Sequence, residues 1–224
     1  MLKQCTPYFI IILLISGCYS HTVAQKTRVL VVPYTRFQFV SEFTLEEIAQ
    51  QNNTVVQNVF KEYQQKLKEV FINSNNDQVE FIPIPSIDYQ KYKHHVKYNI
   101  EKFKGKKYNA SNLSVFDLDL FKTLLTTNDA QYIVFINWYS IRKSVFTTYT
   151  GDRNKRNKYS THSIDYDVYN REKIKIMGKG NVALNCGDFP TASMVLHKSL
   201  NAEELKPCYT DFLQALITGL SAEE

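Results

Sequence analysis

The chain has few of the residues that mark fibrous and low-complexity proteins. It contains 7 glycines and 6 prolines in 224 residues, which excludes a collagen-like chain and argues against a low-complexity one. Apolar residues make up 44% of it and charged residues 22%, both ordinary values for a globular protein. No internal repeat or long linker divides the sequence, which is long enough for one domain with a proper core.

No apolar run in the sequence is long enough to span a bilayer as a helix. The amino-terminal run begins at Tyr8, after Lys3, and is closed by Ile-Ser-Gly immediately before Cys18. A basic start, a short apolar run and small residues before a cysteine resemble the signal of bacterial lipoproteins. The resemblance implies a removable signal over residues 1–17, a lipid on the sulfur of Cys18, and a tether over residues 18–27.

A second cleavage site competes with this one. Thr22, Val23 and Ala24 form the small-x-small pattern of an ordinary signal peptide. Cutting there would remove residues 1–24 and give a soluble periplasmic or secreted protein. Some lipoproteins carry an acidic sorting signal close to the lipidated cysteine, and no acidic cluster follows Cys18. By comparison with them, the sequence implies an outer-membrane anchor facing the periplasm rather than display on the cell surface. Both cuts predict an exported protein.

The cysteines are few and lack metal-binding spacing. Of the 4 cysteines, Cys5 leaves with the signal and Cys18 is the predicted lipid site. Cys186 and Cys208 remain, and in an exported chain we interpret them as a disulfide. Two free buried thiols or a zinc site are the alternatives, but no Cys-x-x-Cys or His-x-x-x-His spacing supports zinc. We expect no metal and no cofactor.

No catalytic constellation is visible in the sequence. It has no Gly-x-Ser-x-Gly, and the segment 178–180 lacks the length of a phosphate loop, so we predict a turn or bulge there. His94 and His95 are adjacent, point apart on any regular element and are interpreted as surface residues. His162 and Asp165 are predicted to lie in an exposed hairpin with no nucleophile nearby. We therefore expect that the protein is not an enzyme.

Short apolar runs predict the β-strands. Arg28–Pro33 and Val79–Pro85 end at prolines, and Tyr132–Ile141 lacks alternation at its centre, so we expect it to be covered on both faces. The remaining predicted strands are Val145–Tyr149 and Ser163–Tyr169, joined by a solvated tip at 151–158, and a strand through Ile174 and Ile176 that follows a turn at 170–171.

Capping signals and apolar residues at steps of three and four predict the helices. The predicted helices are one over 45–71 opened by a Thr44–Glu47 capping box, one from Ser114–Asp117 through Leu125, and two within 191–220, the second with Pro207 in its first turn. Asn52 and Asn53 interrupt the first apolar stripe, and we expect a kink there.

This order predicts one α/β sandwich over residues 28–224, with a mixed sheet of about five to six strands, a long first helix and carboxyl-terminal helices. The segments Val29–Pro33, Asp129–Val134 and Ile164–Glu172 occur in an order that resembles a group of bacterial envelope proteins. The group includes the amino-terminal domain of TolB, the lipoprotein activators of penicillin-binding proteins and the curli-secretion lipoproteins. The resemblance implies a non-catalytic accessory role, binding another envelope component or serving in envelope assembly.

Residues 89–108 form a basic, tyrosine-rich segment with Glu101 as its single acid. Its lysines are Lys91, Lys93, Lys97, Lys102, Lys104, Lys106 and Lys107. They suit anionic headgroups, lipopolysaccharide phosphates or cell-wall polymers, whereas the alternative is a solvated loop or helix face. Nucleic acid is not an expected partner because the chain is exported.

These patterns together predict a non-catalytic, periplasm-facing lipoprotein that is held at the membrane by its lipid. Its expected partner is an envelope protein or a cell-wall polymer. The alternative is a secreted enzyme or small-ligand-binding protein whose site is assembled from residues distant in sequence. A deep pocket with converging polar groups would favour that alternative, and shallow grooves would count against it.

Overall fold

The computed structural model describes residues 26–103, 106–112, 117–150, 153–184 and 199–222. The predicted signal with its two cleavage sites, Cys18, Lys104 and Cys186 lie outside these ranges. The strands are β1 Thr27–Val32, β2 Phe39–Ser41, β3 Val79–Pro83, β4 Lys97–Phe103, β5 Lys106–Asn112, β6 Tyr132–Thr150, β7 Arg153–Tyr169 and β8 Lys175–Ala183. The α-helices are α1 Leu45–Gln51, α2 Val59–Asn73, α3 Ser86–Tyr92, α4 Leu118–Thr127 and α5 Thr210–Ser221. Short 3-10 helices occupy Arg36–Gln38, Val56–Asn58 and Lys206–Tyr209.

Six strands form one mixed sheet in the order β3-β1-β6-β7-β8, with β2 beside the middle of β6. β1 is parallel to β3 and to β6, and β2 is also parallel to β6, whereas β7 and β8 pair antiparallel. The α/β architecture and the mixed sheet predicted from the sequence are confirmed. Because β1 and β3 are parallel neighbours, they end at the same edge of the sheet, which we call the carboxyl edge.

Helices cover both faces of the sheet. On one face, β1 side chains such as Val29 pack with α1, α2 and α5, whose buried residues include Phe71. On the other face, Leu30 packs with α4 through Phe121. Each fully buried apolar side chain of this size stabilises the fold by about 1.5–3 kcal/mol relative to exposure. The prediction that the strand beginning at Tyr132 is covered on both faces is confirmed.

The prediction of one long first helix over 45–71 is wrong, because this part of the chain forms two helices, α1 and α2. Asn53 adopts a left-handed backbone (φ 49°), which ends α1 outright instead of bending it. The Asn52 side chain fixes the break, donating to the carbonyls of Ile48 and Leu200 at 2.8 Å each and accepting from the Ala202 amide at 2.7 Å. The capping box of Thr44 and Glu47 that opens α1 is confirmed.

The strands predicted at 145–149 and 163–169 are parts of much longer ones. β6 runs without interruption to Thr150, so 145–149 continues it and is not a separate strand. β7 already starts at Arg153, so most of the predicted hairpin tip is paired strand. Beyond β2 and β8, no other described strand pairs with the outer parts of β6 and β7, which form a two-stranded ribbon. Val145 on this ribbon is 57% exposed.

Several local predictions hold. The turn after Tyr169 joins β7 to β8, and the register shift opposite Asp165 gives the bulge predicted near 178–180, with Asn181 at φ 53°. The last helix is α5, preceded by the 3-10 helix that contains Pro207. Asp117 caps α4 by accepting from the Leu120 amide at 2.8 Å. Ser114, and most of the first predicted terminal helix, lie outside the described residues.

The basic segment 89–108 is neither one loop nor one helix face. It contains the end of α3 and an antiparallel hairpin of β4 and β5, in which Lys102 lies opposite Lys107. This hairpin forms a separate two-stranded sheet, and β5 lies near the 3-10 helix Arg36–Gln38. The segment is therefore placed beside the carboxyl edge of the main sheet.

Candidate binding site

The carboxyl edge of the parallel strands carries a cleft. Ligands in open α/β sheets bind characteristically outside the carboxyl ends of the strands. Here the residues that follow β1 and β3, among them Arg36 and Ile84, line a depression of about 300 Å³ together with Phe60 and Gln64 of α2. The Gln64 amide donates to the Tyr34 carbonyl at 3.0 Å, which ties α2 to the chain leaving β1.

A larger groove adjoins this depression and shares Arg36 and Phe60 with it. We call it the aromatic groove; it has a volume of about 530 Å³. Its lining residues are Arg36, Phe39, Ser41, Phe43, Leu45, Val56, Gln57, Phe60 and Lys61. Five of these side chains are large and apolar, and they come from β2, the turn after it, α1, the 3-10 helix before α2, and α2 itself.

The floor of the aromatic groove is held by ring packing. Phe39 stacks on Tyr139 with ring centroids 5.6 Å apart and meets Tyr63 edge-on at 5.4 Å. Phe60 meets Tyr34 edge-on at 5.7 Å. Such pairs contribute about 0.5–1.5 kcal/mol each beyond the area they bury. The floor is therefore an extension of the hydrophobic core and keeps its shape.

The rim of the aromatic groove is cationic. Arg36 and Lys61 are exposed, and neither forms an ion pair with any described residue. No acidic side chain is among the described residues that line the groove. A further cation, Lys143, sits 4.9 Å from the centroid of the Phe43 ring but is paired with Glu47 at 3.5 Å. The unneutralised charge at the rim thus belongs to Arg36 and Lys61.

Behind the floor lies a buried polar network centred on His162. The prediction that His162 is exposed is wrong: it is 3% exposed, since the residues from Ser199 onward cover it. Its Nε2 is 2.6 Å from the Ser199 carbonyl, which can only accept, so Nε2 carries the proton. Nδ1 then accepts from the Tyr139 hydroxyl at 2.8 Å, and that hydroxyl accepts from Tyr209 at 3.3 Å.

Ser160 completes this network. Its amide donates to the Ser199 hydroxyl at 2.9 Å, and its own hydroxyl donates to the Ser199 carbonyl. Burial lowers the pKa of His162 to about 4, although the Ser199 carbonyl partly opposes this. Burial also raises the pKa of Tyr139 well above its ordinary value. The network is therefore neutral at physiological pH, and its role is to fix the core rather than to exchange protons with a ligand.

The other polar residues singled out from the sequence do not converge on the cleft. His94 and His95 are exposed, as predicted. Asp165 is partly buried, accepts from the Asn181 amide at 2.5 Å, and has a raised pKa chiefly because of burial. Asp167 accepts from Asn137 at 2.8 Å and pairs with Lys175. Within the described residues no three His, Cys, Asp or Glu side chains lie close enough to hold a metal ion.

One lysine of the basic segment, Lys93, lies next to the carboxyl-edge depression. Lys93 and Tyr98 line a small depression with Thr35, which also borders the carboxyl-edge depression. Lys97 and Lys107 are exposed, and no described residue forms an ion pair with them or with Lys93.

For the other predicted lysines, Lys91 is exposed and pairs with Asp88 at 3.6 Å. Lys102 and Lys106 are placed on β4 and β5, and Lys104 is outside the described residues. The structure thus brings the basic segment next to Arg36, which the sequence did not indicate.

Cys208 is buried and forms a disulfide. Its partner is outside the described residues, so the pairing with Cys186 stays a prediction. None of the described helices combines the length and apolar character needed to cross a bilayer.

The residues of the aromatic groove were not identified from the sequence. Arg36, Phe39 and Lys61 belong to no motif, and the available signal was their place after β1 and at the start of α2. A polar residue following the first buried strand of an α/β domain is a candidate by position alone. No protein-family model matches the chain, and no curated protein is similar to it.

Proposed function

We propose that the protein is an exported, lipid-anchored and non-catalytic binding protein of the cell envelope. In this proposal, Cys18 carries the lipid, the domain faces the periplasm, and the basic segment contacts an anionic envelope component. The fold-level resemblance to envelope lipoproteins supports this assignment from the sequence. The observation that carries it is a pair of exposed lysines on the β4–β5 hairpin, Lys97 and Lys107, which have no ion-pair partner among the described residues.

The charge pattern supports contact with a polyanion. Lys97 and Lys107 have no described ion-pair partner, so no internal interaction has to be broken before they bind phosphate or carboxylate groups. A lysine near an anionic membrane surface contributes about 1 kcal/mol, and the contribution falls with salt. Tyr98 is 40% exposed on the same hairpin and is suited to the interface between headgroups and apolar material.

Vesicle binding tests the role of the basic segment. The double variant Lys97→Gln, Lys107→Gln is expected to bind phosphatidylglycerol vesicles about tenfold or more weakly at low salt. A matched control, Lys68→Gln with Lys122→Gln, removes two exposed lysines from α2 and α4 and should bind as the wild type does. Equal binding by the wild type and the hairpin variant at low salt would contradict the proposal.

Anchoring is tested separately. Radiolabelled palmitate should enter the wild type and not Cys18→Ala, and mass spectrometry of the mature amino terminus should find an acylated Cys18. An unmodified amino terminus at Gln25 would instead show cleavage at the second site and a protein without an anchor. Crosslinking in the envelope would then identify the bound component.

The aromatic groove favours a second candidate function, that of a small-ligand-binding protein. Its volume of about 530 Å³ falls within the range of about 300–1,000 Å³ typical of ligand pockets. The two functions use different surfaces and are compatible in one molecule.

A further inference from the structure

The aromatic groove exposes apolar surface that the fold itself does not use. Phe39, Leu45, Val56 and Phe60 are all only partly buried there. Phe37, which follows Arg36 in the chain, is 69% exposed. Apolar surface collected in a concave, preformed site is characteristic of a ligand pocket.

The charges at the rim indicate what kind of ligand the groove would bind. Arg36 and Lys61 stand beside this apolar floor without an acidic partner, and no described acid lines the groove. A neutral apolar molecule would leave both cations unpaired, whereas one anionic group would neutralise them. An arginine guanidinium presents a planar fork that matches a carboxylate or a phosphate.

The size of the site favours a small molecule over a peptide. β2 is the only strand that borders the groove within the described part of the chain, and it is three residues long. An added peptide strand would therefore find few backbone partners. The volume of the groove, in contrast, suits one acyl chain or a small aromatic body.

We infer that the aromatic groove binds a small anionic amphiphile: one carboxylate or phosphate group on an apolar acyl or aromatic body. The body lies against Phe39, Phe43 and Phe60, and the anionic group meets Arg36 and Lys61. A fatty acid and a phosphorylated lipid fragment share this chemistry. The inference rests on the second candidate function, small-ligand binding in the aromatic groove, and names its ligand class. It depends neither on the lysines of the basic segment nor on the lipid anchor.

Calorimetric titration of the purified mature protein tests this inference with three ligands of equal chain length. Decanoate and decyl phosphate, kept below micelle formation, are expected to bind with one ligand per protein. The neutral analogue 1-decanol should bind about tenfold or more weakly, since it lacks the charge-assisted hydrogen bonds. The ratio of the decanoate and decyl phosphate affinities distinguishes a carboxylate site from a phosphate site.

Variants connect binding to the groove. Arg36→Gln with Lys61→Gln should weaken decanoate and decyl phosphate about tenfold or more and leave 1-decanol unchanged. The hairpin variant Lys97→Gln, Lys107→Gln should bind all three ligands as the wild type does, which separates this inference from the vesicle result. Equal affinity for decanoate and 1-decanol, no effect of the rim variant, or no binding at about 0.1 mM ligand would each overturn it.

Discussion

The two sides of the Phe39–Tyr139 ring stack differ in how their polar groups are satisfied. On the buried side, His162, Tyr139 and Ser160 have their hydrogen bonds completed by one another and by Ser199. On the exposed side, Arg36 and Lys61 have no ion-pair partner among the described residues. We therefore interpret the buried side as the part that stabilises the fold, because a satisfied buried network rigidifies a core. The exposed side is the part that we propose binds a ligand, because unneutralised charge attracts an oppositely charged group.

The largest effect is expected on the buried side. His162→Ala should lower the free energy of unfolding by about 3–4 kcal/mol, because it opens a cavity and leaves the Tyr139 hydroxyl without its acceptor. Urea unfolding measures the change. The matched control His94→Ala removes an exposed histidine and should stay within about 0.5 kcal/mol of the wild type.

Lowering the pH should destabilise the fold through the same buried network. The pKa of His162 is lowered from 6.5 to about 4 in the folded protein, so between these values the unfolded chain binds a proton that the folded one does not. The free energy of unfolding therefore has its full value above about pH 6.5 and should fall by about 3 kcal/mol as the pH drops to 4. The residues that contact the ring are Tyr63, Tyr139, Ser160 and Ser199, and none of them carries a charge in this range.

Urea midpoints at pH 7.5 and pH 4.5 check this expectation, with His162→Gln as the variant that cannot titrate. Glu69 has its pKa lowered to about 2, chiefly by Lys206, so its own contribution is lost only below its ordinary value of 4.5. Asp165, whose pKa is raised chiefly by burial, acts in the opposite direction, so the difference between the wild type and His162→Gln isolates the contribution of His162. Equal slopes for the wild type and His162→Gln would show that the ring is protonated without cost.

A smaller effect is expected when the ring of Tyr139 is kept and only its hydroxyl is removed. Tyr139→Phe should cost about 2 kcal/mol, because Nδ1 of His162 and the Tyr209 hydroxyl both lose their partner. Tyr209→Phe should cost less, about 1 kcal/mol, since its 3.3 Å hydrogen bond is longer. Thermal unfolding of both variants gives the order, and a larger loss for Tyr209→Phe would contradict it.

The elements that were predicted correctly depend on local patterns. The apolar run in the first half of β6 predicted burial on both faces, and the structure confirms it. The break between α1 and α2 was predicted only as a kink, because its cause is not local. Asn52 bonds to Ala202, which is 150 residues away in sequence, and no helical pattern contains that information.

The site was harder to predict for the same reason. His162 has the same parity in β7 as the buried Ile164 and Tyr166, a signal that the prediction of an exposed hairpin overlooked. It is covered by Ser199 and Tyr209 from the end of the chain. The aromatic groove joins Arg36, Phe39 and Lys61 from separate elements. Their shared surface is set by the topology of the sheet edge, which single-sequence patterns do not specify.

The smallest effect on stability is expected on the exposed side. Arg36→Gln with Lys61→Gln should change the free energy of unfolding by no more than about 0.5 kcal/mol, because both cations are exposed and neither has an ion-pair partner among the described residues. Decanoate should raise the Tm of the wild type and not that of this variant, since a ligand stabilises only the state that binds it. A loss above about 1 kcal/mol without ligand would show that the rim cations hold the fold together, as the buried network does, and the difference between the two sides would disappear.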